Sequence, residues 1–264
     1  FGAGANYSET EYTGVFEGQL TDQYRGSIPL DIFYEISPKL DLSFGYKYTD
    51  TEIGALKPTA TGDFVVEPSS GLIIPINLER NAYNRERHFF NIGARGSLLP
   101  KLTGYFKLGY SKRESGTRSD SRVLDGAILE PVITNFSEET TLGVDADLYW
   151  LMTPKLSTRF GLSRDFGLGS DGAPTRENSV STSTNLSLSN NWTASANLMY
   201  TQRDYTRRDR EDDKYSAGIR VFYLPNRFWQ FSGGYNFSDS ESTGADAGNS
   251  YDAHVVDFNA TLRY

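Results

Sequence analysis

SIPLDIFYEISPKLDLSFGYKYT, residues 27–49, alternates on both sides of one interruption. Ile28, Leu30, Ile32, Tyr34 and Ile36 take every second position, Ser37-Pro38-Lys39 breaks the run, and Leu40, Leu42, Phe44, Tyr46 and Tyr48 resume it. A period of two is that of a strand with one apolar face, because successive side chains point to opposite sides. Proline has no N–H to give a ladder and favours turns, so the pair reads as an antiparallel hairpin closed at Pro38. The other face, with Asp31, Asp41, Ser43, Gly45 and Lys47, is small and polar.

The unit recurs along the chain. Phe1, Ala3, Ala5 and Tyr7 give a first short strand. After a long loop from about Asp50 to Arg87, the run Phe90, Ile92, Ala94 and Leu98 turns at Leu99-Pro100-Lys101 into Leu102, Phe106, Leu108 and Tyr110. Leu142 to Trp150 turns at Thr153-Pro154-Lys155 into Leu156, Phe160 and Leu162. Val180 to Leu188 turns at Asn190-Asn191 into Trp192 to Tyr200; Tyr215 to Tyr223 turns at Pro225-Asn226 into Trp229 to Phe237; and Val256 to Tyr264 closes the sequence. The expectation is a single domain over residues 1–264, of about twelve strands in six hairpins, with short turns alternating with polar loops. Short turns on one rim and long loops on the other mark an all-β, antiparallel transmembrane β-barrel, the short side periplasmic.

Bulk properties agree. No run approaches the ~18 apolar residues of a spanning helix, while a mean hydropathy of -0.50 is what alternation produces. Cysteine is absent, which removes disulfides, thiol catalysis and thiolate metal sites. A net charge of -8 argues against nucleic-acid binding. No signal peptide precedes Phe1, so the chain is expected to be processed or to begin late. A soluble β-sandwich would also alternate, but the aromatics choose rims. Trp150, Trp192 and Trp229 stand beside short turns with the parity of the apolar face, and Tyr48, Tyr110, Tyr200, Tyr215 and Tyr235 stand near the long loops. Two aromatic belts are the mark of a membrane interface.

The chain ends DFNATLRY, an alternating strand with a terminal aromatic, which resembles the insertion signal of bacterial outer-membrane proteins. With YEISPKLDLSFGYKYTDTE, LLPKLTGYFKLGYSKRES, YLPNRFWQFSGGYNFSDSE and DREDDKYSAGIRVFY, it resembles the outer-membrane β-barrel porins associated with exopolysaccharide export. The likeness runs from about Gly26 onward. Family members are usually longer, so the twelve strands are expected to be the whole barrel or part of a larger one. The resemblance implies a Gram-negative outer-membrane channel with both termini periplasmic, and export of a polysaccharide.

Sites for chemistry are few. His88 and His254, the two histidines, carry the parity of the apolar face and so decorate the interface. No inward histidine stands beside a serine, so no enzyme is expected, nor any cofactor or metal. The glycines of GLGSDGAP, residues 167–174, precede no helix, and a phosphate loop fails there. The charged run from Arg207 to Lys214 reads as a solvated loop, with lipopolysaccharide phosphates or divalent cations as its alternative ligands.

The informative surface is the inward one. Its Ser, Thr and Asn rows include Asn185 and Asn197, with charges at Asp41, Lys47, Arg95, Lys107, Asp145, Asp147, Arg159, Arg220, Asp257 and Arg263. Small polar groups cannot fill a barrel, so these are expected to line a water-filled pore; the competing arrangement is a lumen filled by its own ion pairs. Outer-membrane lipid and lipopolysaccharide are the expected surroundings, and a polar solute or polysaccharide the cargo. The alternative is a scaffold barrel around a periplasmic export or electron-transfer partner such as a multihaem cytochrome. Two long loops carry apolar residues: Phe64, Val66, Leu72 and Ile74 in one, Leu124 and Ile128 in the other. Wet apolar surface costs on the order of 25 cal/mol per Å², so the segments are expected either to pack together as a lid or to extend their flanking strands.

Overall fold

The computed structural model describes residues 1–13, 20–66, 73–124, 127–170 and 172–262. Its regular structure is all strand: β1 (Gly2–Ala3), β2 (Asn6–Thr10), β3 (Gln23–Ser37), β4 (Leu40–Ile53), β5 (Leu56–Val66), β6 (Ile73–Arg80), β7 (Tyr83–Leu99), β8 (Leu102–Ser115), β9 (Arg118–Leu124), β10 (Ala127–Thr134), β11 (Glu139–Thr153), β12 (Leu156–Leu168), β13 (Pro174–Ser187), β14 (Trp192–Tyr205), β15 (Glu211–Tyr223), β16 (Trp229–Thr243) and β17 (Tyr251–Leu262). The wall runs β1-β3-β4-β7-β8-β11-β12-β13-β14-β15-β16-β17, every ladder antiparallel. β2 pairs β3 in the register that β1 begins, since Gly2 faces Asp31 and Asn6 faces Ser27. The first strand is therefore broken in two but fills one position. Among the described residues no ladder joins β17 to β1 or β2.

The apolar parity faces outward. Ile32 is 58% exposed, Leu198 57% and Val256 64%, whereas Ser43 and Ser111, one position out of phase, are fully buried. An ordered sheet that presents alternate leucines and isoleucines to its surroundings while burying serines fits a lipid solvent. The face opposite is concave. Lys107 Nζ on β8 lies 2.8 Å from Asp31 on β3, with β4 and β7 between them. Three strand spacings measure about 14 Å along a sheet, so these side chains meet only across a curved wall.

The turns lie on one rim. Ser37-Pro38-Lys39, Leu99-Pro100-Lys101 and Thr153-Pro154-Lys155 each follow a register shift one or two residues before the proline. Lys101 takes φ 66°, the left-handed third residue that a Pro-led type II turn needs. Opposite, Gly104 has φ 144°, and a Cβ there would strike the Asp147 carbonyl on β11. The tryptophans near these turns are part-exposed, with Trp192 stacked on Tyr223 at 4.4 Å. At the far rim each histidine meets a tyrosine. Tyr46 Oη lies 2.8 Å from His88 Nδ1, and Tyr235 Oη 2.7 Å from His254 Nδ1.

Much of the two expected long loops is strand. β5, β6, β9 and β10 form a second sheet in the order β10-β9-β6-β5. Its central ladder continues the wall: Arg85 pairs Ser115 in β7–β8, and five residues further along each strand Arg80 pairs Asp120 in β6–β9. The bonds Gly116 N to Asn84 O and Asn81 N to Ser119 O keep that register between them. Sequence periodicity hid this because the outer hairpins are not cleanly alternating.

The lipid face carries a direct test. Replacing Ala196 with Arg puts a charge on the outer face midway between Trp192 and Tyr200, a cost of about 2–4 kcal/mol at the bilayer centre. Asn185→Arg points into the lumen. Heat-modifiable migration on gels is expected to vanish for the first variant and persist for the second; equal behaviour would reverse the assignment of the faces.

Candidate functional site

The inner face brings most of the expected residues into pairs. Arg95 Nε lies 2.9 Å from Asp41 on the neighbouring strand, and Arg159 Nε 2.7 Å from Asp147. The Tyr105 hydroxyl donates to Asp145 at 3.1 Å. Arg220 grips Asp257 with two bonds of 2.6 and 2.7 Å, reaching across β16 above Gly234. Lys107 pairs Asp31 as described, and Lys47 faces Pro29 and Phe89 in register. Asn185 stands between Ser157 and Ser195, and Asn197 between Ser183 and Gly218. Arg263 lies outside the described residues. Tyr105, Asp145, Asp147, Arg159, Ser181 and Asn197 border a cavity of about 440 Å³ on the β8–β14 wall.

The lid residues fall on the second sheet. Phe64 pairs Pro75, Val66 pairs Ile73, Ile74 pairs Val65, Leu124 pairs Ile76 and Ala127, and Ile128 pairs Val123. Leu72 lies outside the described residues.

What the sequence reading missed is the upper end of β12–β13. The β11–β12 ladder stops at Val144–Arg164, while β12 and β13 stay paired as far as Leu168–Pro174. Above Arg164 the free edge of β12 needs other partners for its carbonyls. Arg113 on β8 supplies one, donating to Gly167 O at 3.2 Å, and it donates also to Thr175 O on β13 at 3.2 Å. Phe166 is buried, its ring 4.2 Å from the Arg113 guanidinium. The tip then docks three to five positions away along the wall, on β7, β4 and β3. Thr21 N donates to Ser170 O, Gln23 Nε2 to Gly169 O, and the Tyr83 hydroxyl to Gly172 O. Gly172 takes φ 74°, and a Cβ on it would stand 2.9 Å from Ile53 Cγ2. Thr21, Ile53, Tyr83 and Ala173 are all buried at this contact. The glycines of GLGSDGAP thus serve a sharp turn pressed against the opposite wall.

Arginines gather under the tip. Arg25, Thr51 and Arg85 lie in one row across β3, β4 and β7, and Thr49, Arg87, Arg113 and Glu139 lie in the next across β4, β7, β8 and β11. Arg87 is paired with Asp165 and Arg113 with Glu139. Phe136 sits among guanidinium groups, with Arg85 at 5.1 Å, Arg118 at 5.6 Å and Arg207 at 4.7 Å from its ring centre. Of the charged run, Arg207 donates to Ser137 and approaches Glu139, while Arg210 is bidentate on Asp212. Among the described residues no cluster of three His, Cys, Asp or Glu side chains has metal-binding geometry.

Tyr83→Phe isolates the docking bond. It removes the donor to Gly172 O, a neutral bond worth about 0.5–1.5 kcal/mol, and the acceptor for the charged Arg85, worth about 1.5–3 kcal/mol. Faster hydrogen exchange confined to the tip amides is the expected outcome; unchanged protection would show that the tip is held by other contacts.

Solved structures with this fold are outer-membrane proteins. The ferric yersiniabactin uptake receptor FyuA from Yersinia pestis is similar at 13% identity and a TM-score of 0.55, over 87% of this chain and 38% of that one. The siderophore receptor PiuA from Acinetobacter baumannii is similar at 13% identity and a TM-score of 0.51, over 88% and 41%. The toluene transporter TodX from Pseudomonas putida aligns over 98% and 78% at 14% identity and a TM-score of 0.43. The chain spans about two fifths of the length of the two receptors. No curated protein sequence matches it. The family described as "Putative beta-barrel porin 2" matches residues 76–264, well over half of the sequence, and the chain belongs to that family of outer-membrane β-barrels.

Proposed function

We propose that this porin-type barrel conducts polyhydroxylated solutes, with an exported polysaccharide as the cargo class, and that its short turns and both termini face the periplasm. The supporting observation is the cavity on the β8–β14 wall. Tyr105 offers an aromatic face, Asp145, Asp147 and Arg159 offer charged partners, and Ser181 and Asn197 offer neutral ones. Its volume of about 440 Å³ is that of a small-ligand site. Hydroxyl-rich solutes exchange water for such groups at little net cost. Charges that are already paired hold a neutral solute weakly, which suits passage better than capture.

The narrow part of the conduit in this reading is the β12–β13 tip, with the second sheet above β7–β8 as a lid over the entrance. Gly172→Val forces the tip off Ile53, since a branched side chain is strained at positive φ. In planar bilayers that variant is expected to carry several-fold more current than the parent. Excision of Phe64 to Ile76 is expected to admit larger oligosaccharides as blockers. A parent that stays electrically silent, together with a silent Gly172→Val variant that migrates as folded, would remove the channel reading. A folded excision variant with unchanged blocker size would remove the lid and leave the second sheet as a wall extension.

A further inference from the structure

We infer that the arginine zone beneath the β12–β13 tip is a binding site for a small monatomic anion of the chloride class. The carrying observation is Arg85. The residue is 3% exposed, its Nη2 donates to the Tyr83 hydroxyl at 3.2 Å, and its Nε and Nη1 have no hydrogen-bond partner. A guanidinium stays charged at any physiological pH. Burying one with two donors unused is strongly unfavourable, and the faces of Tyr83 and Phe136, at 5.2 and 5.1 Å, offset only part of that cost.

The surroundings supply positive charge and a void. Arg25, Arg85, Arg87 and Arg113 border one cavity of about 30 Å³, which Thr49 and Thr51 line from β4. That is room enough for a water-sized occupant such as a single small ion. The acidic side chains nearby are engaged or turned away: Asp165 pairs with Arg87 and with the Ser111 hydroxyl at 2.8 Å, Glu139 with Arg113 and with Thr206 at 3.3 Å, and Glu86, which also borders the cavity, is exposed and one position out of phase with Arg85 and Arg87. Arg85 thus faces the cavity without a carboxylate of its own. The Nε of Arg87, also buried, lacks a partner too.

The fourth side of the cavity is Phe166, Gly167 and Leu168 of the tip. An anion held there ties β3, β4, β7 and β8 to the inward end of β12 through charge. It stabilises the docked tip, and occupancy and docking are thermodynamically linked.

Crystals grown in bromide in place of chloride provide the test, because bromide is seen by its anomalous scattering. An anomalous peak in contact with the Arg85 guanidinium is expected, and water alone at that position overturns the site. In detergent, the heat-unfolding midpoint of the parent is expected to rise and saturate with sodium chloride and to stay flat with sodium gluconate at equal ionic strength. Arg85→Gln keeps hydrogen-bonding capacity without the charge, and it is expected to lose the chloride response while still folding. An equal chloride response in that variant overturns the assignment, and should it fail to fold, the bromide experiment on the parent decides. Both readouts are independent of conductance, so the site stands or falls apart from the channel reading.

Discussion

In hydrocarbon an unpaired peptide group has no water to fall back on, so each strand that crosses must give every N–H and C=O to a neighbour. The rest of this structure follows from that constraint. It requires a meander of long ladders, as in β12–β13 and β13–β14, each paired without a register shift over more than a dozen residues. It then permits one face to be apolar and the other polar, since the pleat already separates them. Pro38, Pro100 and Pro154 stand in short turns, where the missing N–H leaves nothing unpaired. Where a ladder does stop, at Val144–Arg164, the freed carbonyl of Gly167 is taken at once by Arg113. That exchange lies at the long-loop end, beyond the histidine–tyrosine belt, where a guanidinium can replace a strand.

The lumen divides into two chemical zones. From the turns to about mid-wall, charges come as local pairs: Asp41 with Arg95, Asp147 with Arg159, Asp257 with Arg220. Partly exposed pairs of this kind are worth at most about 1 kcal/mol each to stability, so their effect is to cancel fields along the path. Under the tip the bonds reach farther. Arg87 spans to β12, Arg113 to β12 and β13, and Tyr83 to the loop between them. These contacts of high sequence separation hold two parts of the wall together. The buried aromatics Phe89, Phe166 and Tyr205 belong to the same wall strands.

The wall itself was legible in the sequence. The period of two from Ile28 to Tyr48 gives β3 and β4 to within a few residues, and the tryptophan and tyrosine positions give the two rims. Both histidines are on the outer face that their parity predicts. What escaped reading was where the chain leaves that pattern. On β12 the apolar parity of Phe160 and Leu162 is interrupted by Arg164 and resumes at Phe166, which by itself does not say that the partner on one side has ended. Phe166 packs on Arg113, 53 positions earlier in the chain and two positions along the sheet. GLGSDGAP carried a readable signal, a glycine-dense turn with no helix after it, which was consistent with a tight tip. Its docking site on Thr21, Ile53 and Tyr83 could not be read, because loop residues have no period. The second sheet was hidden differently: sequences such as LKPTATGDFVV and RSDSRVL do not alternate cleanly, and the register linking Arg85–Ser115 to Arg80–Asp120 exists only once both hairpins are placed.

Selectivity in a conduit of this kind belongs to the place where charge neutralisation fails. Along most of the lumen a solute meets carboxylate and guanidinium together, so neither sign is favoured for long. At the tip the balance breaks, because Arg25 and Arg85 join Arg87 and Arg113 while only Asp165 and Glu139 answer them directly. A low-dielectric surround of Phe136, Phe166 and Tyr83 screens that excess poorly. The local field at this level of the wall is therefore positive. The net charge of -8 for the chain as a whole does not oppose this, since charges more than about 10 Å away in salt solution are largely screened. The local arginine excess sets the field that a solute meets at the tip.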